Sequence, residues 1–509
     1  MSDAHATYLG IDLGTSEVKV LIMGESGQVI GVSHAVLIVD QPRAGWSEQD
    51  PASWWDAVVT ACLQLKNNFP DQYAKISAIG LSGHMHGATL LDAQHRVLRP
   101  CILWNDTRSE QQCNELTGAH PEFHQIAGNL VMPGFTAPKI VWLRAHEAEI
   151  FKQIAKVLLP KDYLRFLLSG QMVSDMSDAA GTLWLDVEQR DWSASLLAAT
   201  GLTKNHMPAL VEGSQVSASL SESAARLLGL KSGIPIAGGA GDNAASAIGL
   251  GAVNTGDSFI SLGTSGVIFS VTDRHRPNVN DAVHAFCHAL PGKWHQMSVM
   301  LTAASALKWI THATGHQSEP ELLKKVAELD AAERQSAPIF LPYMSGERTP
   351  HNDASASGSF VGLRHNHHAA HLAYSVIEGV SFGMRDGLDA LLHAGTKINA
   401  LQLVGGGSKS QWWAQLLANV LEVNIDIGQE SSVGAALGAA RLAKLCMSDC
   451  SLNQIELICS KPVIQHAFQP RLNEVKILEK RQQLYRATYQ QLKPIFQTAH
   501  KQAMKQAIQ

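Results

Sequence analysis

The sequence predicts a large mixed α/β protein made of two related halves, and three observations support this prediction. Residues 8–23 have the pattern of a strand, a glycine turn and a second strand, because apolar side chains recur at the period of two that lines one sheet face. Residues 51–66 instead carry apolar side chains at helical spacing. The tetrapeptide at residues 13–16 recurs at residues 262–265, each time after an apolar strand.

The first half opens with this β-hairpin and continues with helical segments and further short apolar runs that predict strands. A glycine-rich stretch at residues 238–243 interrupts a strand pattern, so we divide the chain into domains 1–245 and 246–509 and expect a hinge between them. Residues 472–509 have helical periodicity and are expected to pack back on the second domain. Two unrelated strand-turn motifs remain an alternative explanation of the repeated tetrapeptide.

Composition excludes several classes of protein. The chain has 509 residues, 45% hydrophobic and 17% charged, which is enough for a large core in two or three domains. The net charge of -5 is spread along the chain, without the basic and aromatic stripe that binds nucleic acid. No apolar run approaches the roughly 20 residues that cross a bilayer, and the polar N-terminal residues show no export signal. Seven scattered cysteines favour reduced thiols, so we expect a cytoplasmic protein without nucleic-acid or membrane partners.

The first glycine turn has the residues of a phosphate-binding turn. Gly14 lets the backbone approach a polyanion closely, while Thr15 and Ser16 add hydroxyl and amide donors for phosphate oxygens. Asp12 places a carboxylate beside those phosphates, which implies an intervening Mg²⁺ held largely through water. The alternative is an aspartate that caps an ordinary turn.

Two later glycine turns offer similar donors. The second turn follows the strand of the repeated tetrapeptide and would face the first turn across bound phosphates. The third turn lies between an apolar strand and a helical segment, and its geometry suits a nucleotide. An ordinary strand-to-helix turn remains the alternative for the third. The donors are Gly263, Thr264 and Ser265 in the second turn and Gly405, Gly406, Gly407 and Ser408 in the third.

In this order, the three turns resemble the phosphate 1, phosphate 2 and adenosine motifs of the superfamily of sugar kinases, heat-shock chaperones and actin. Residues 358–363, followed by His371 and residues 375–378, resemble a signature of the FGGY carbohydrate kinases within it. The resemblance implies two actin-like, ribonuclease H-like α/β domains around a deep interdomain cleft. It also implies ATP and Mg²⁺ as cofactors, and it suggests a homodimer.

Other segments resemble the xylulokinases, a group within that family, at residues 83–87, 104–108, 159–164 and 345–351. This resemblance implies ATP-dependent phosphorylation of D-xylulose to D-xylulose 5-phosphate in xylose catabolism. It assigns three side chains to the sugar site, which are Met85, His86 and Trp104. It also disfavours a glycerol-type acceptor, because glycerol kinases carry an Arg-Glu pair where this chain has Met85 and His86.

The catalytic candidate is Asp242, because a sugar hydroxyl is a poor nucleophile and needs a carboxylate to accept its proton. It matches the base of the family's motif, and with Asp12 it would also hold Mg²⁺ through water. Asn243 would support the hydroxyls of the sugar or cap the following helix. The alternative is a turn-forming Asp-Asn pair in a glycine-rich loop.

One departure from the family concerns specificity, because His84 stands where the xylulokinases usually have Gln. Imidazole offers one donor and one acceptor, so a contact with the sugar would alter its recognition, whereas packing behind Met85 would not. The alternatives for function are a kinase for another ketose or polyol, such as ribulose, fuculose or deoxy-xylulose, and a non-catalytic actin-like nucleotide switch. The switch has no need for the sugar motif or for Asp242.

Two groups of residues are assigned to structure. Four histidines lack carboxylate or cysteine partners at metal-ligand spacing and are expected in a solvated loop: His365, His367, His368 and His371. Four tryptophans lie at helical spacing with other apolar residues and are expected in the core: Trp54, Trp55, Trp412 and Trp413.

Overall fold

A computed structural model describes residues 6–429 and 434–507. Fifteen strands and eleven helices precede residue 250. The strands are β1 (Thr7–Leu13), β2 (Glu17–Gly24), β3 (Val29–Val36), β4 (Glu48–Gln49), β5 (Ile76–Gly83), β6 (Thr89–Leu91), β7 (Cys101–Ile102), β8 (Lys156–Leu158), β9 (Val173–Asp175), β10 (Leu185–Asp186), β11 (Asp191–Trp192), β12 (Ala209–Val211), β13 (Val216–Ser219), β14 (Pro235–Ala237) and β15 (Ala240–Gly241). The helices are α1 (Pro51–Asn68), α2 (Pro70–Tyr73), α3 (Glu110–Ala119), α4 (Glu122–Ile126), α5 (Thr136–His146), α6 (Ala148–Gln153), α7 (Pro160–Ser169), α8 (Met176–Ala180), α9 (Ala194–Ala199), α10 (Glu222–Leu228) and α11 (Asp242–Gly249).

The rest of the described chain adds nine strands and eight helices. The strands are β16 (Ser258–Leu262), β17 (Gly266–Thr272), β18 (His284–Cys287), β19 (Trp294–Met300), β20 (Ile339–Leu341), β21 (Ser359–Val361), β22 (Ala400–Val404), β23 (Asn424–Gly428) and β24 (Ile464–Phe468). The helices are α12 (Ala304–Ala313), α13 (Glu319–Glu328), α14 (Ala331–Ser336), α15 (Ala369–His393), α16 (Gln411–Leu421), α17 (Gly434–Leu445), α18 (Leu452–Ile458) and α19 (Leu472–Ala507).

The two main sheets share the same arrangement of five central strands. In the first, β1 to β3 form an antiparallel meander, β1 pairs parallel with β5, and β5 pairs parallel with β14. In the second, β16, β17 and β19 form the meander, and β16, β22 and β23 run parallel. The repeated tetrapeptide ends the first strand of each meander, so the sequence echo marks equivalent turns of two related sheets.

Helices α11 and α17 join the two halves through small residues. A Cβ added to Gly438 of α17 would lie 1.8 Å from the carbonyl oxygen of Ala245 in α11. A Cβ added to Gly80 of β5 would lie 1.8 Å from the carbonyl oxygen of Ala439. Side chains at these glycines would push the backbones apart, so α17 lies directly on the first sheet although it connects β23 and β24 of the second sheet. The boundary proposed after residue 245 falls within α11 and stays a prediction.

A shared hydrophobic core joins the inserted segment between β6 and β12 to the second sheet. Phe135 and Trp184 of the insertion pack in one buried cluster with Phe286 of β18. At the edge of β18, the Asn129 amide donates to the carbonyl oxygen of Ala285 at 2.9 Å and accepts from its amide at 3.2 Å. This amide satisfies backbone groups that a neighbouring strand would otherwise pair.

The long helix α19 lies against α15 and β20. Arg481 of α19 donates from Nε to the buried carboxylate of Glu378 in α15 at 2.6 Å. The hydroxyls of Tyr485 and Tyr343 form a buried hydrogen bond of 2.7 Å. Within residues 6–429 and 434–507, the structure has no helix with the length and apolarity needed to span a membrane.

Candidate active site

The catalytic candidates come together at one edge of the first sheet. Asp12 of β1 pairs with Ser82 of β5, and Ala240 of β15 pairs with Ser82 from the other side. These three strands are parallel, so their carboxyl ends meet at the same edge. Asp242 follows directly after β15 as the first residue of α11. The fold therefore brings together two carboxylates that lie 230 positions apart in the sequence.

The two carboxylates affect each other electrostatically. Burial raises the pKa of Asp12, and its Oδ1 is buried without a hydrogen-bond partner among the described residues. Burial is the larger cause and the charge of Asp12 the next, and together they raise the pKa of Asp242 to about 6. Asn243 opposes this shift, because its backbone amide and side-chain Nδ2 donate to Asp242 Oδ1 at 2.7 and 2.9 Å. The repulsion and the unpartnered oxygen fit a cation bound between the two groups.

Met85 lies against Gly241, the residue before Asp242, and His86 follows Met85 in the chain. The buried Met85 fits between glycines, since a Cβ on Gly241 would meet its Cγ at 2.9 Å and a Cβ on Gly181 would meet its methyl group at 2.7 Å. His86 Nδ1 lies 2.6 Å from the Gly181 carbonyl oxygen, which can only accept, so Nδ1 carries the proton. Burial lowers the pKa of His86 to about 3. A neutral His86 therefore offers Nε2 as an acceptor for a ligand hydroxyl.

The backbone of His86 is held in an uncommon conformation by a buried lysine. His86 has a φ of 72°, in the left-handed region. Lys139 Nζ donates to the carbonyl oxygens of His86 and Gly134 at 2.9 and 2.8 Å, and burial lowers the pKa of this lysine to about 7. Sequence reasoning did not single out Lys139, because a lysine on a helix carries no local sign that it is fully buried.

His84 packs in the core behind Met85. Its side chain is 2% exposed, and its ring lies edge-on to Trp54 of α1 with 5.7 Å between centroids. Both ring nitrogens lack hydrogen-bond partners among the described residues, and burial lowers the pKa of His84 to about 3. Of the two placements considered from sequence, the structure has the packed one.

The first glycine turn is tight and lies beside Trp104. Gly14 donates its amide to the Glu17 carbonyl oxygen at 3.0 Å, and a Cβ on Gly14 would lie 2.9 Å from that oxygen. Trp104 Nε1 donates to Thr15 Oγ1 at 3.0 Å, and its side chain is largely exposed. Ser16 is also exposed. A residue expected at the sugar is thus directly connected to a residue expected at the phosphates.

The second and third glycine turns meet at Leu262. Gly263 follows Leu262 and donates its amide to the Ser265 carbonyl oxygen at 3.0 Å. Gly405 has a φ of 91°, and a Cβ there would lie 2.8 Å from the carbonyl oxygen of Leu262. Gly407 packs on the side chain of Leu262, and Ser408 donates to the carbonyl oxygen of Gly405. Thr264 and Ser265 are exposed and available to a ligand.

Comparison with known proteins accounts for both halves of the chain. Residues 7–249 match the N-terminal domain of the FGGY family of carbohydrate kinases, and residues 258–447 match its C-terminal domain. The chain belongs to the FGGY family of carbohydrate kinases. The resemblance seen in the sequence is confirmed, and so is the two-domain, actin-like fold.

The relatives of this FGGY kinase include enzymes named for one sugar. It is 47% identical to the xylulose kinase of Escherichia coli K12 over 96% of this chain and 99% of that one. It is 45% identical to the xylulose kinase of Klebsiella pneumoniae with the same coverage. A crystal structure of a xyloylose kinase from Brucella ovis superposes with a TM-score of 0.92 at 49% identity, covering 96% of this chain and all of that one.

The histidine-rich segment of this FGGY kinase differs from the prediction. His365, His367 and His368 lie in an exposed or half-buried loop as expected, but His371 is buried in the first turn of α15. Glu333 of α14 lies close to His368 and His371, so the expected lack of a carboxylate partner is wrong. His371 Nδ1 accepts from the amide of His368, and the His368 side chain accepts from the amide of His371. This reciprocal capping occupies the lone pairs that a metal would need.

The four tryptophans are not all in the core. Trp54 and Trp413 are fully buried, but Trp55 and Trp412 are only half-buried. Trp412 lines a cavity of about 350 Å³ between α14, α16 and α19. None of the residues assigned to sugar or phosphates lines this cavity.

Arg348 is a further residue of this FGGY kinase that sequence reasoning passed over. It lies in the segment 345–351, yet its guanidinium forms no ion pair with a carboxylate within 4 Å in the described chain. Its Nη1 contacts His284 Nε2 at 3.3 Å, and its charge helps to lower the pKa of His86. A cation from the second half of the chain therefore lies near the sugar motif of the first half.

Proposed function

We propose that this FGGY kinase transfers the γ-phosphoryl group of ATP to the 5-hydroxyl of D-xylulose, giving D-xylulose 5-phosphate and ADP. The observation that carries the proposal is the placement of Asp242 beside the Met85-His86 pair and Asp12 at one sheet edge. The xylulose kinases of similar sequence support the choice of sugar, since their identity extends over nearly the whole chain.

Asp242 is the general base of the proposed reaction. Its carboxylate accepts the proton of the sugar hydroxyl as the oxygen attacks the γ-phosphorus, and Asn243 keeps the accepting oxygen in place. His86 Nε2 and the carboxamide of Asn243 orient the other hydroxyls. A pKa of about 6 keeps Asp242 ionised at neutral pH while leaving it more basic than an exposed aspartate.

The glycine turns hold the phosphates of ATP. The half-buried Thr15 and the exposed Ser16, Thr264 and Ser265 bind phosphate oxygens, and the turn from Gly405 to Ser408 holds the adenosine. Mg²⁺, held mainly through water by Asp12 and Asp242, would neutralise charge on the transferring group. The unpartnered Oδ1 of Asp12 fits such an ion.

We also propose a homodimer, which the family resemblance suggests, and a cytoplasmic location, which the scattered cysteines favour. Light scattering coupled to size-exclusion chromatography tests the dimer: twice the chain mass of 54.9 kDa supports it, and the monomer mass contradicts it.

A kinase for another ketose or polyol is the nearest alternative, because nothing in the contacts of Asp242 selects one sugar carbon. A non-catalytic nucleotide switch is less well supported, since a switch does not require the neutral acceptor His86 beside a raised-pKa aspartate.

Product identification tests the proposal. The protein is incubated with Mg-ATP and D-xylulose, and the product is examined by phosphorus NMR with coupling to the sugar protons. A phosphate ester on C5, formed only when both substrates are present, supports the proposal. An ester on another carbon, or ADP formed equally without sugar, contradicts it.

A further inference from the structure

Five charged residues form a fully buried cluster beneath the loop that leads to Asp242. Each has 0% exposure, although charged side chains are rarely buried completely. Three come from α7, one is the last residue of β9, and one lies in α8. The five are Lys161, Asp162, Arg165, Asp175 and Asp178.

Lys161 is the centre of this cluster. Its Nζ lies 2.5 Å from Asp162 Oδ1, 2.7 Å from Asp175 Oδ2 and 3.2 Å from Asp178 Oδ2. The ammonium group therefore occupies the place that a metal ion would take among three carboxylates. Burial raises the pKa of Asp178, which opposes its ionisation beside the other two carboxylates.

Two side chains connect the cluster to the loop before Asp242. Arg165 Nη1 donates to the carbonyl oxygen of Ala237 at 2.6 Å, and its Nη2 donates to that of Gly238. Ser177 Oγ donates to Asp175 Oδ1 at 2.5 Å and accepts from the amide of Gly241 at 3.1 Å. Because Gly241 immediately precedes Asp242, this hydroxyl holds the peptide from which the carboxylate projects.

The surroundings leave this peptide little freedom. Gly239 has a φ of 77°, and a Cβ there would lie 2.3 Å from the carbonyl oxygen of Leu81. Gly241 packs against Met85, which limits how far the peptide can be displaced. Errors of about 1 Å in the position of a reacting group cost on the order of a hundredfold in rate.

We propose that Ser177, supported by Asp175 and Lys161, is a positioning residue for Asp242 that acts through the amide of Gly241. This inference rests on the proposed function, because it assigns Ser177 to the same phosphoryl transfer. Ser177 touches neither base nor sugar directly, so its removal changes the transfer step and leaves substrate binding intact.

Ser177→Ala tests the proposal, with Ser174→Ala as the matched control. Both serines have 0% exposure, but the Ser174 hydroxyl has no hydrogen-bond partner among the described residues. We expect Ser177→Ala to lower kcat by about tenfold or more, with the KM values for ATP and sugar within about twofold of wild type. Ser174→Ala keeps wild-type kinetics, and Ser177→Thr, which restores the hydroxyl, regains most of the lost kcat.

A double variant separates positioning from general destabilisation. If Ser177 acts through Asp242, then Ser177→Ala adds no further loss to Asp242→Asn. The proposal would be overturned if the double variant lost the product of the two single-variant losses in kcat. It would also be overturned if Ser177→Ala raised KM at unchanged kcat, or if Ser177→Ala and Ser174→Ala had equal effects. Wild-type turnover of D-xylulose, measured in the same series, tests the proposed function separately.

Discussion

In the proposed reaction, Asp242 is the residue on which the chemistry depends most directly. Replacing it by Asn keeps the side-chain size and the bond from the Asn243 amide but removes the proton acceptor. We expect Asp242→Asn to fold and bind ATP like wild type while kcat falls by about a thousandfold or more. Steady-state kinetics and nucleotide titration measure the two properties, and wild-type-like turnover would remove Asp242 from the role of base.

The raised pKa of Asp242 predicts a pH dependence. The base accepts a proton only when ionised, so kcat/KM should be level above the pKa of about 6 and fall about tenfold per pH unit below it. Direct ADP determination from pH 4.5 to 8 measures this limb. A limb near pH 4, the ordinary value for aspartate, would show that Asp242 is not perturbed.

We expect the His84 side chain to affect the pH dependence of stability without affecting the choice of sugar. We expect His84→Gln to keep kcat/KM for D-xylulose within about twofold, because the ring packs against Trp54 behind Met85. In the wild type, the pKa of His84 is lower in the folded protein than in the unfolded chain. As the pH falls, the unfolded chain therefore takes up a proton at His84 before the folded protein does. The stability contributed by His84 is therefore lost as the pH falls from about 6.5 toward 3, by about 1.4 kcal/mol per unit.

Urea unfolding at pH 7 and pH 5.5 measures this difference. Wild type should lose about 1 kcal/mol more than His84→Gln between the two conditions. Equal losses of unfolding free energy in wild type and His84→Gln, or a changed sugar preference in the variant, would contradict the buried position of the His84 ring against Trp54.

Among single residues, those that stand in local sequence motifs could be predicted. Those whose roles depend on buried contacts with distant residues were missed. Asp12, Asp242 and His86 stand in recognisable motifs, and the fold brings them together. Lys139 and Ser177 were missed, because their roles depend on contacts with residues more than fifty positions away.

At the scale of elements, the contact between α11 and α17 determines how the two halves join. Gly438→Ala would place a Cβ 1.8 Å from the backbone of α11, which cannot move away as a flexible side chain can. We expect a loss of about 3 kcal/mol in the free energy of unfolding.

Gly118→Ala provides the control for this change. Gly118 lies in α3, with no atom within 4 Å of an added Cβ, so alanine there should be neutral or stabilise by up to about 1 kcal/mol. Urea midpoints compare the two variants, and equal stability of Gly438→Ala and wild type would contradict the close packing of α17.

The order of strands could be predicted in outline, because the repeated tetrapeptide marks the same turn in both sheets. The crossing of α17 onto the first sheet could not, since its glycines and alanines fit any helix. The neighbourhood of Glu333 and His371 was also missed, because β20 and β21 separate the two helices in sequence.

At the scale of the whole molecule, the two halves contribute different parts of the proposed site. The first provides Asp12, Met85 and His86, and the second provides the second and third glycine turns and Arg348. The shared core beside β18 keeps these parts together. A sugar kinase needs such a division, because the acceptor and the nucleotide must meet away from water.

The central claim is phosphorylation of D-xylulose, and coupled ADP release with Mg-ATP tests it most directly. The panel contains D-xylulose, L-ribulose, L-fuculose and glycerol, together with a blank without sugar. We expect kcat/KM to be highest for D-xylulose and ADP release in the blank to be at least tenfold slower. Preferred turnover of another sugar would keep the kinase and overturn its substrate, whereas no sugar-dependent release would contradict the account of the site.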